Sequence, residues 1–468
     1  MKTLPPIKAT PEQLPLISDN SLGVEIIRGA AGSGKTSTAI LRLRSLAYMF
    51  EERRAREERE EPVKILVLTF NRTLSGYVQT LVDQQVNELN DTEVTVETFG
   101  RWAINHIGNP SVVKNKLREE KLIELVKPLA QPSISYIIKE IDYLLGRFEP
   151  SDIDRYLIVE RTGRGAEPRV DRPLRQRILS EIIAPYQNWL ASRGEVDWNE
   201  VAVRMASSPD RIGYDVVVID ESQDFSANQL RAVLNHVSEN HAITFVIDTI
   251  QRIYARGFTW AETGFDLRGA RYFTLRQNHR NTREIASFAA GILSGIAAEA
   301  DGALPDLNAA SRQGAFPIVL RGKFSAQARW AIEFIEENVD LSEETVAFLH
   351  PKGYGYFDAL RGYLSQAGIP FVDISREPEW PEGDINVALS TFHSAKGLEF
   401  DHVFILGLSH DATTHADVAV DDQITVLRRL LAVAVARARS TVVLGYKDAE
   451  RSRLVEYFVA GTFATVDL

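Results

Sequence analysis

A short run rich in β-branched residues, Val24–Ile27, leads through Arg28 into Gly29-Ala30-Ala31-Gly32-Ser33-Gly34-Lys35-Thr36, and a helical pattern follows. No other stretch restricts the fold as tightly. Glycines at these spacings let backbone N–H groups close around phosphate oxygens. The lysine is set to reach the β- and γ-phosphates, and the threonine hydroxyl to ligate Mg²⁺. The helix that follows, beginning near Ser37, aims its positive end at the same anion. A strand, a phosphate loop and a helix in this order predict a parallel α/β sheet with its ligand at the carboxyl ends of the strands.

Further short β-branched runs fit that sheet: Ile65–Leu68, Val216–Ile219, Ile243–Ile247, Val387–Leu389, Val403–Leu406 and Val442–Leu444. Runs this short and continuous read as strands buried on both faces. Polar motifs stand at their ends, and helical patterns separate them. Lys114 to Met205 differs, being mostly amphipathic helix, notably Lys121–Ala130 and Leu174–Trp189, with a Gly-, Arg- and Pro-rich loop at Arg161–Pro173. The mixed-sign run Glu51–Glu61 predicts a solvated helix end with i,i+4 pairs.

The second half of a nucleoside-triphosphate site needs a carboxylate at the end of a buried strand. Val216-Val217-Val218-Ile219-Asp220-Glu221 supplies two. Asp220 suits a Mg²⁺ held through water, and Glu221 suits the orientation and activation of an attacking water.

Composition sets limits. With 468 residues the chain can hold two or three packed units. It has no cysteine, which excludes a disulfide scaffold and a thiolate metal site. Met1–Thr10 lacks the apolar core of a signal peptide, and no stretch is apolar enough to span a bilayer, so a cytoplasmic protein without a membrane partner is expected. Lys plus Arg is 53 against 64 Asp plus Glu, a net charge of −11. An acidic chain that binds a polyanion must do so through a local groove.

Asp220-Glu221-Ser222-Gln223-Asp224 resembles the DExQD signature of UvrD/Rep-like superfamily 1 helicases. Other segments resemble that family's motifs in the family's order. Thr10-Pro11-Glu12-Gln13 is similar to the Q motif, which implies Gln13 as adenine reader. Val67-Leu68-Thr69-Phe70-Asn71-Arg72 resembles motif Ia and Thr98-Phe99-Gly100-Arg101 motif Ic, implying DNA contacts at Phe70, Asn71, Thr98 and Phe99. Val196-Asp197-Trp198 looks like the acidic-aromatic element before the DExQD strand. The segment Phe245–Tyr254 resembles motif III, implying that Gln251 senses phosphate while Tyr254 and Trp260 lie near the bases. Leu275–Arg280 resembles motif IV, with Arg280 on the γ-phosphate. Leu389–Phe400 is close to motif V, with Thr391 and His393 on DNA and Glu399 on the ribose. Arg428–Arg439 resembles motif VI, with Arg437 as arginine finger.

The resemblance implies two RecA-like P-loop motor domains with parallel sheets: domain 1A at 1–103 and 206–274, a helical 1B insertion at 104–205, and domain 2A at 275–468. ATP and Mg²⁺ would be the cofactors, and single-stranded DNA or a single-strand/duplex junction the partner. The implied activity is ATP-dependent translocation or unwinding in the 3′ to 5′ direction. The alternative is a DNA-stimulated ATPase subunit that senses or regulates within a larger assembly, as in the helicase-like subunit of Gabija anti-phage defence with its nuclease partner. A non-motor P-loop enzyme would show no response of ATP hydrolysis to DNA. The chain departs from the family in size, since only Arg376–Asp384 stands where larger relatives insert a 2B domain. Smaller departures are His279, Ile250, Val426, Leu427, Ala432 and Ala436, while every phosphate-contacting residue is kept.

Overall fold

The computed structural model describes residues 1, 9–29, 32–86, 89, 91–129, 132–161, 169–248, 258–265, 267–296, 310–375, 377, 379–381, 383–413 and 420–468. Two parallel sheets dominate. The first holds β1 (Gly23–Gly29), β2 (Val63–Thr69), β3 (Thr92–Thr98), β4 (Tyr214–Ile219), β5 (Val237–Asp248) and β6 (Arg271–Leu275), in the order β3-β2-β4-β5-β1-β6. After a short pair, β7 (Asn278–Thr282) and β8 (Ala310–Arg312), comes the second sheet. It contains β9 (Ile318–Arg321), β10 (Val346–His350), β11 (Val372–Asp373), β12 (Val387–Thr391), β13 (Phe400–Ile405), β14 (Ala438–Tyr446) and β15 (Ala464–Asp467). Its order is β11-β12-β10-β13-β14-β9-β15. Every pairing within the two sheets is parallel.

Burial explains why these runs are strands. All six residues of β4 and all five of β10 are buried, as expected for strands covered on both faces. Each sheet has an apolar cluster on one face, and the opposite faces join one continuous cluster running from Ile27 and Val67 in the first sheet to Val403 and Leu444 in the second. The two α/β units are thus cemented by apolar burial as well as by the polar contacts described below.

Between β3 and β4 the chain is helical and has its own core, centred on Ile137, Tyr156, Ile182 and Tyr186. The expected helix Leu174–Trp189 is one rod with a widened turn. Helices Arg172–Arg177 and Ala184–Arg193 are joined by a π-helical stretch, Ile178–Ile183. Pro185 follows it, and a proline that can neither donate nor tolerate the carbonyl four residues back accounts for the widening. The charged run at Glu51–Glu61 ends a helix as expected, with Arg53 bonded to Glu57 at 2.8 Å. Arg54 instead reaches across to Asp215 at 2.6 Å.

Three connections position the site. The helix Lys35–Arg56 follows β1 directly. The short turn Ser222–Asp224 follows β4, and Ser226 starts the next helix with a capping box to Gln229. Residues 374–386 join β11 to β12, and the described ones among them form no helix or strand. Among the described residues no helix is long and apolar enough to cross a membrane.

Phe404 tests the packing of the second unit. It is fully buried and stacked on Phe348 with centroids 5.0 Å apart. Phe404→Ala should cost about 3–5 kcal/mol by loss of burial and cavity formation. Chemical denaturation should show a lowered midpoint with the slope unchanged.

Candidate nucleotide site and nucleic-acid face

The phosphate loop leaves β1 at Gly29 and enters the helix at Lys35. Gly32 and Gly34 have φ of +80° and +77°, a region that favours glycine. Space also demands glycine there. A Cβ on Gly34 would sit 2.5 Å from the Gln13 amide nitrogen, and one on Gly32 would strike the Asn278 side chain. Lys35 Nζ donates to the Gly29 carbonyl at 3.0 Å, folded back within its own loop. Gln13, 4% exposed, leans over the loop. Its Oε1 accepts from Thr10 N at 2.9 Å and its Nε2 donates to Ser33 O at 3.4 Å.

The acid pair at the end of β4 faces this loop. The Thr36 hydroxyl donates to Asp220 Oδ2 at 2.9 Å, so the two expected Mg²⁺ ligands are adjacent. Glu221 N donates to Asp220 Oδ1 at 2.9 Å, and Glu221 has φ +51°. A non-glycine residue in that conformation is strained and is held by its surroundings. Gln223 Nε2 donates to Glu221 Oε2. Burial and the neighbouring Glu221 charge push Asp220 above the usual carboxylate range. Burial would raise Glu221 too, but Lys396, Arg437 and Lys35 hold it below its ordinary value.

These residues fit a hard divalent cation that brings its own partners. Among the described residues no group of three His, Asp or Glu side chains is placed to hold a metal. One carboxylate and one hydroxyl suit Mg²⁺, which completes its shell with water and phosphate oxygens.

The opposite wall of the cleft comes from the second sheet and the β7 segment. Arg280, Glu399 and Arg437 line the same cavity as Gly32, Lys35, Thr36, Ser37, Asp220 and Glu221. Arg280 is ion-paired with Glu399. Burial raises Glu399, yet Arg280, with Arg439 and Arg437, brings it below the ordinary range. Arg437 is anchored by donating to Val433 O at 3.2 Å and Leu398 O at 3.4 Å. Asn281 Nδ2 donates to Ala436 O at 3.1 Å and Ala438 O at 2.6 Å, tying the Arg280 segment to the Arg437 turn. His279 N donates to Gly32 O at 3.0 Å, so this segment touches the phosphate loop itself.

Several residues of this cleft were not singled out from sequence. Lys396, 2% exposed, comes from the turn after β12 and inserts between Asp224, with which it is ion-paired, and Glu221 Oε2 at 3.4 Å. Its signal in sequence was a lysine among small and apolar neighbours, since a buried ammonium requires an anion. Tyr77 and Asn281 carry no such mark, whereas Gln223 stands in the DExQD-like signature.

The expected nucleic-acid contacts partly converge. Phe70 lies under the Lys396 ammonium, 4.8 Å from ring centroid to nitrogen. Asn71 Oδ1 accepts from Leu74 N at 2.8 Å, while its Nδ2 donates to the carbonyls of His393 and Lys396, each at 3.4 Å. Thr391 Oγ1 accepts from Ser394 N at 3.2 Å, and the His393 side chain is exposed. Thr98 precedes the helix Phe99–His106 and lines an open groove. Trp260 packs against Phe245, 4.8 Å away, and is half-buried. Phe99 is a correction. Its ring is 5% exposed and packs edge-on against Trp102 and Phe225 at 5.6 and 6.3 Å, because the first turn of its helix turns this face into the core. Ala30, Ala31, Gln251 and Tyr254 lie outside the described residues.

The raised Asp220 has a measurable consequence. A protonated acid is a poor ligand, so binding of Mg²⁺–nucleotide should release a proton and weaken as pH falls through the raised pKa. Calorimetry in two buffers of different ionisation enthalpy reads the proton. Asp220→Asn should abolish this release and flatten most of the pH dependence.

The UvrD/REP helicase N-terminal domain matches residues 10–265, and the UvrD-like helicase C-terminal domain matches residues 376–449. A protein named "Probable DNA helicase" from Mycoplasma pneumoniae is 22% identical over 450 residues, covering 90% of this chain and 80% of that protein. Among solved structures, the C-terminal domain of a possible DNA helicase from Lactobacillus plantarum shares 22% identity. That match covers 40% of this chain and 98% of that one, with a TM-score of 0.30. The N-terminal match alone spans more than half of the sequence and contains both the phosphate loop and the acid pair, and the chain therefore belongs to the UvrD/REP helicase family of ATP-hydrolysing nucleic-acid enzymes.

Proposed function

We propose that this chain is a compact motor that couples ATP hydrolysis to movement along single-stranded DNA, in the 3′ to 5′ direction that the family resemblance implies. The observation that carries this reading is the shared cleft. Phosphate loop and acid pair come from one parallel sheet, Glu399 and Arg437 from the other, and Arg280 from the short β7–β8 pair. In this reading domain 1A comprises 1–103 and 206–274, the helical insertion 104–205, and domain 2A 275–468. A cytoplasmic location fits the same reading.

Each side chain has a defined task. Lys35 leaves the Gly29 carbonyl to reach the β- and γ-phosphates, while the N–H groups of the Gly29–Ser37 segment cradle them. Mg²⁺, held by Thr36 and Asp220, would neutralise charge on the phosphates. Glu221, kept ionised by Lys396, orients and activates the attacking water. Arg280 and Arg437 stabilise the charge that develops on the transferred group. Gln13 reads the adenine, Glu399 the ribose, and Gln251 the γ-phosphate. Arginines from one domain and a lysine from the other bind the same anion, so nucleotide draws the cleft closed and hydrolysis releases it.

Movement requires a grip on DNA that changes with closure. Phe70, Asn71 and Thr98 belong to the first domain, Thr391 and His393 to the second. Asn71 already bonds to the second domain's turn, so a strand lying over both would feel any shift between them. Tyr254 and Trp260 would supply base stacking, which is tolerant of sequence.

Steady-state ATP hydrolysis should rise strongly on addition of single-stranded DNA. Lys35→Ala and Glu221→Gln should each reduce turnover by on the order of 10²-fold or more. Basal turnover that is indifferent to single-stranded DNA would defeat the motor reading.

A further inference from the structure

Two described residues between β11 and β12, Ile374 and Trp380, touch the first domain. The Thr73 hydroxyl donates to Ile374 O at 2.8 Å. The Trp380 ring meets Tyr77 edge-on, with centroids 4.9 Å apart. The Trp380 Nε1 donates to Met1 O at 3.0 Å. Thr73 and Tyr77 both belong to the helix Arg72–Val86, and Tyr77 also lines the nucleotide cleft. Trp380 thus bears on a residue that the cleft shares.

The same stretch walls a groove. Its lining includes Arg72, Thr98 and Arg101 with other residues of β3, together with Glu377, Glu379 and Trp380. Arg72 directly follows Asn71, and Thr98 belongs to the groove, so it continues from the nucleic-acid contacts assigned above. Its charge is unusual for a polyanion path. Arg101 is already engaged by Glu97 at 3.4 Å, and the strap adds two more carboxylates to the same groove. Among the described lining residues, Glu97, Glu377 and Glu379 outnumber Arg72 and Arg101 with the strap seated and oppose a phosphate backbone. With it lifted, the two arginines prevail over Glu97 among those residues.

We propose that Glu377, Glu379, Trp380 and Pro381 form an acidic strap that gates this groove. Seated, Glu377 and Glu379 occupy the field that Arg72 and Arg101 would offer to the sugar-phosphate backbone of a single strand. A strand that enters displaces them and lifts Trp380 from Tyr77, so groove occupancy is transmitted to the wall of the nucleotide cleft. The proposal rests on the DNA-motor reading and names a regulation of its binding face.

The test is equilibrium binding of a fluorescent oligothymidylate to the full chain, at low and high salt. The double variant Glu377→Gln, Glu379→Gln changes only side chains of a surface segment. It should bind about fivefold more tightly at low salt, with the gap closing as salt screens the charges. Trp380→Ala should also tighten binding, and its gain should persist at high salt. The gain from the double variant should vanish when Arg72 and Arg101 are replaced by alanine. If the wild type binds the oligonucleotide and the double variant binds no more tightly, or gains equally without the two arginines, the strap proposal alone is overturned. If neither binds, the DNA-motor reading falls and takes the strap with it.

Discussion

A single ammonium group, that of Lys396, is buried between Glu221 and Asp224 across the seam of two domains. Removing three charges from water is costly unless they neutralise one another, and removal of one partner leaves the others stranded. The acid proposed to activate water is therefore held by a residue of the opposite domain. Arg280 and Glu399 neutralise each other on the far wall in the same way. Phosphates and a cation entering the cleft would compete for every one of these charges. A change in the nucleotide thus becomes a change in what binds the two domains together.

Parallel-sheet architecture makes this arrangement available. Carboxyl ends of strands in both sheets deliver the phosphate loop, the acid pair and the Thr391–Lys396 turn to one seam. The continuous apolar cluster holds the units in register while the charged contacts remain exchangeable. Apolar burial is non-directional and tolerates a small shift, whereas the ion pairs are specific to one arrangement.

Much of this was legible in the sequence for a physical reason. Strands covered on both faces are mostly apolar, so β1, β2, β4, β12 and β13 announce themselves, and polar motifs end β1, β2, β4 and β12; Glu25, buried within β1, is ion-paired with Arg42 at 3.1 Å. The edge strand β3, Thr-Glu-Val-Thr-Val-Glu-Thr, alternates in polarity and passed unnoticed except for its final threonine. β10, although apolar, carries no motif that drew attention to it. The resemblance of Thr98-Phe99-Gly100-Arg101 to motif Ic implies a DNA contact at Phe99. Yet it shares an inward helix face with Trp102 and Ala103, which i,i+3 and i,i+4 spacing already hinted at. The partners of Lys396 and of Trp380 lie far from them along the chain, so no local pattern names them.

The distance between the two α/β units is the most direct measurement of a cleft closed by nucleotide. The chain lacks cysteine, so Glu60→Cys and Glu337→Cys, at exposed positions on the first and second units, accept one dye each. A shared cleft requires that a non-hydrolysable ATP analogue with Mg²⁺ shift the transfer efficiency, and that Arg280→Ala with Arg437→Ala abolish the shift. An efficiency unchanged at saturating nucleotide would mean that ATP binds to the first unit alone and that the second unit takes no part in its hydrolysis.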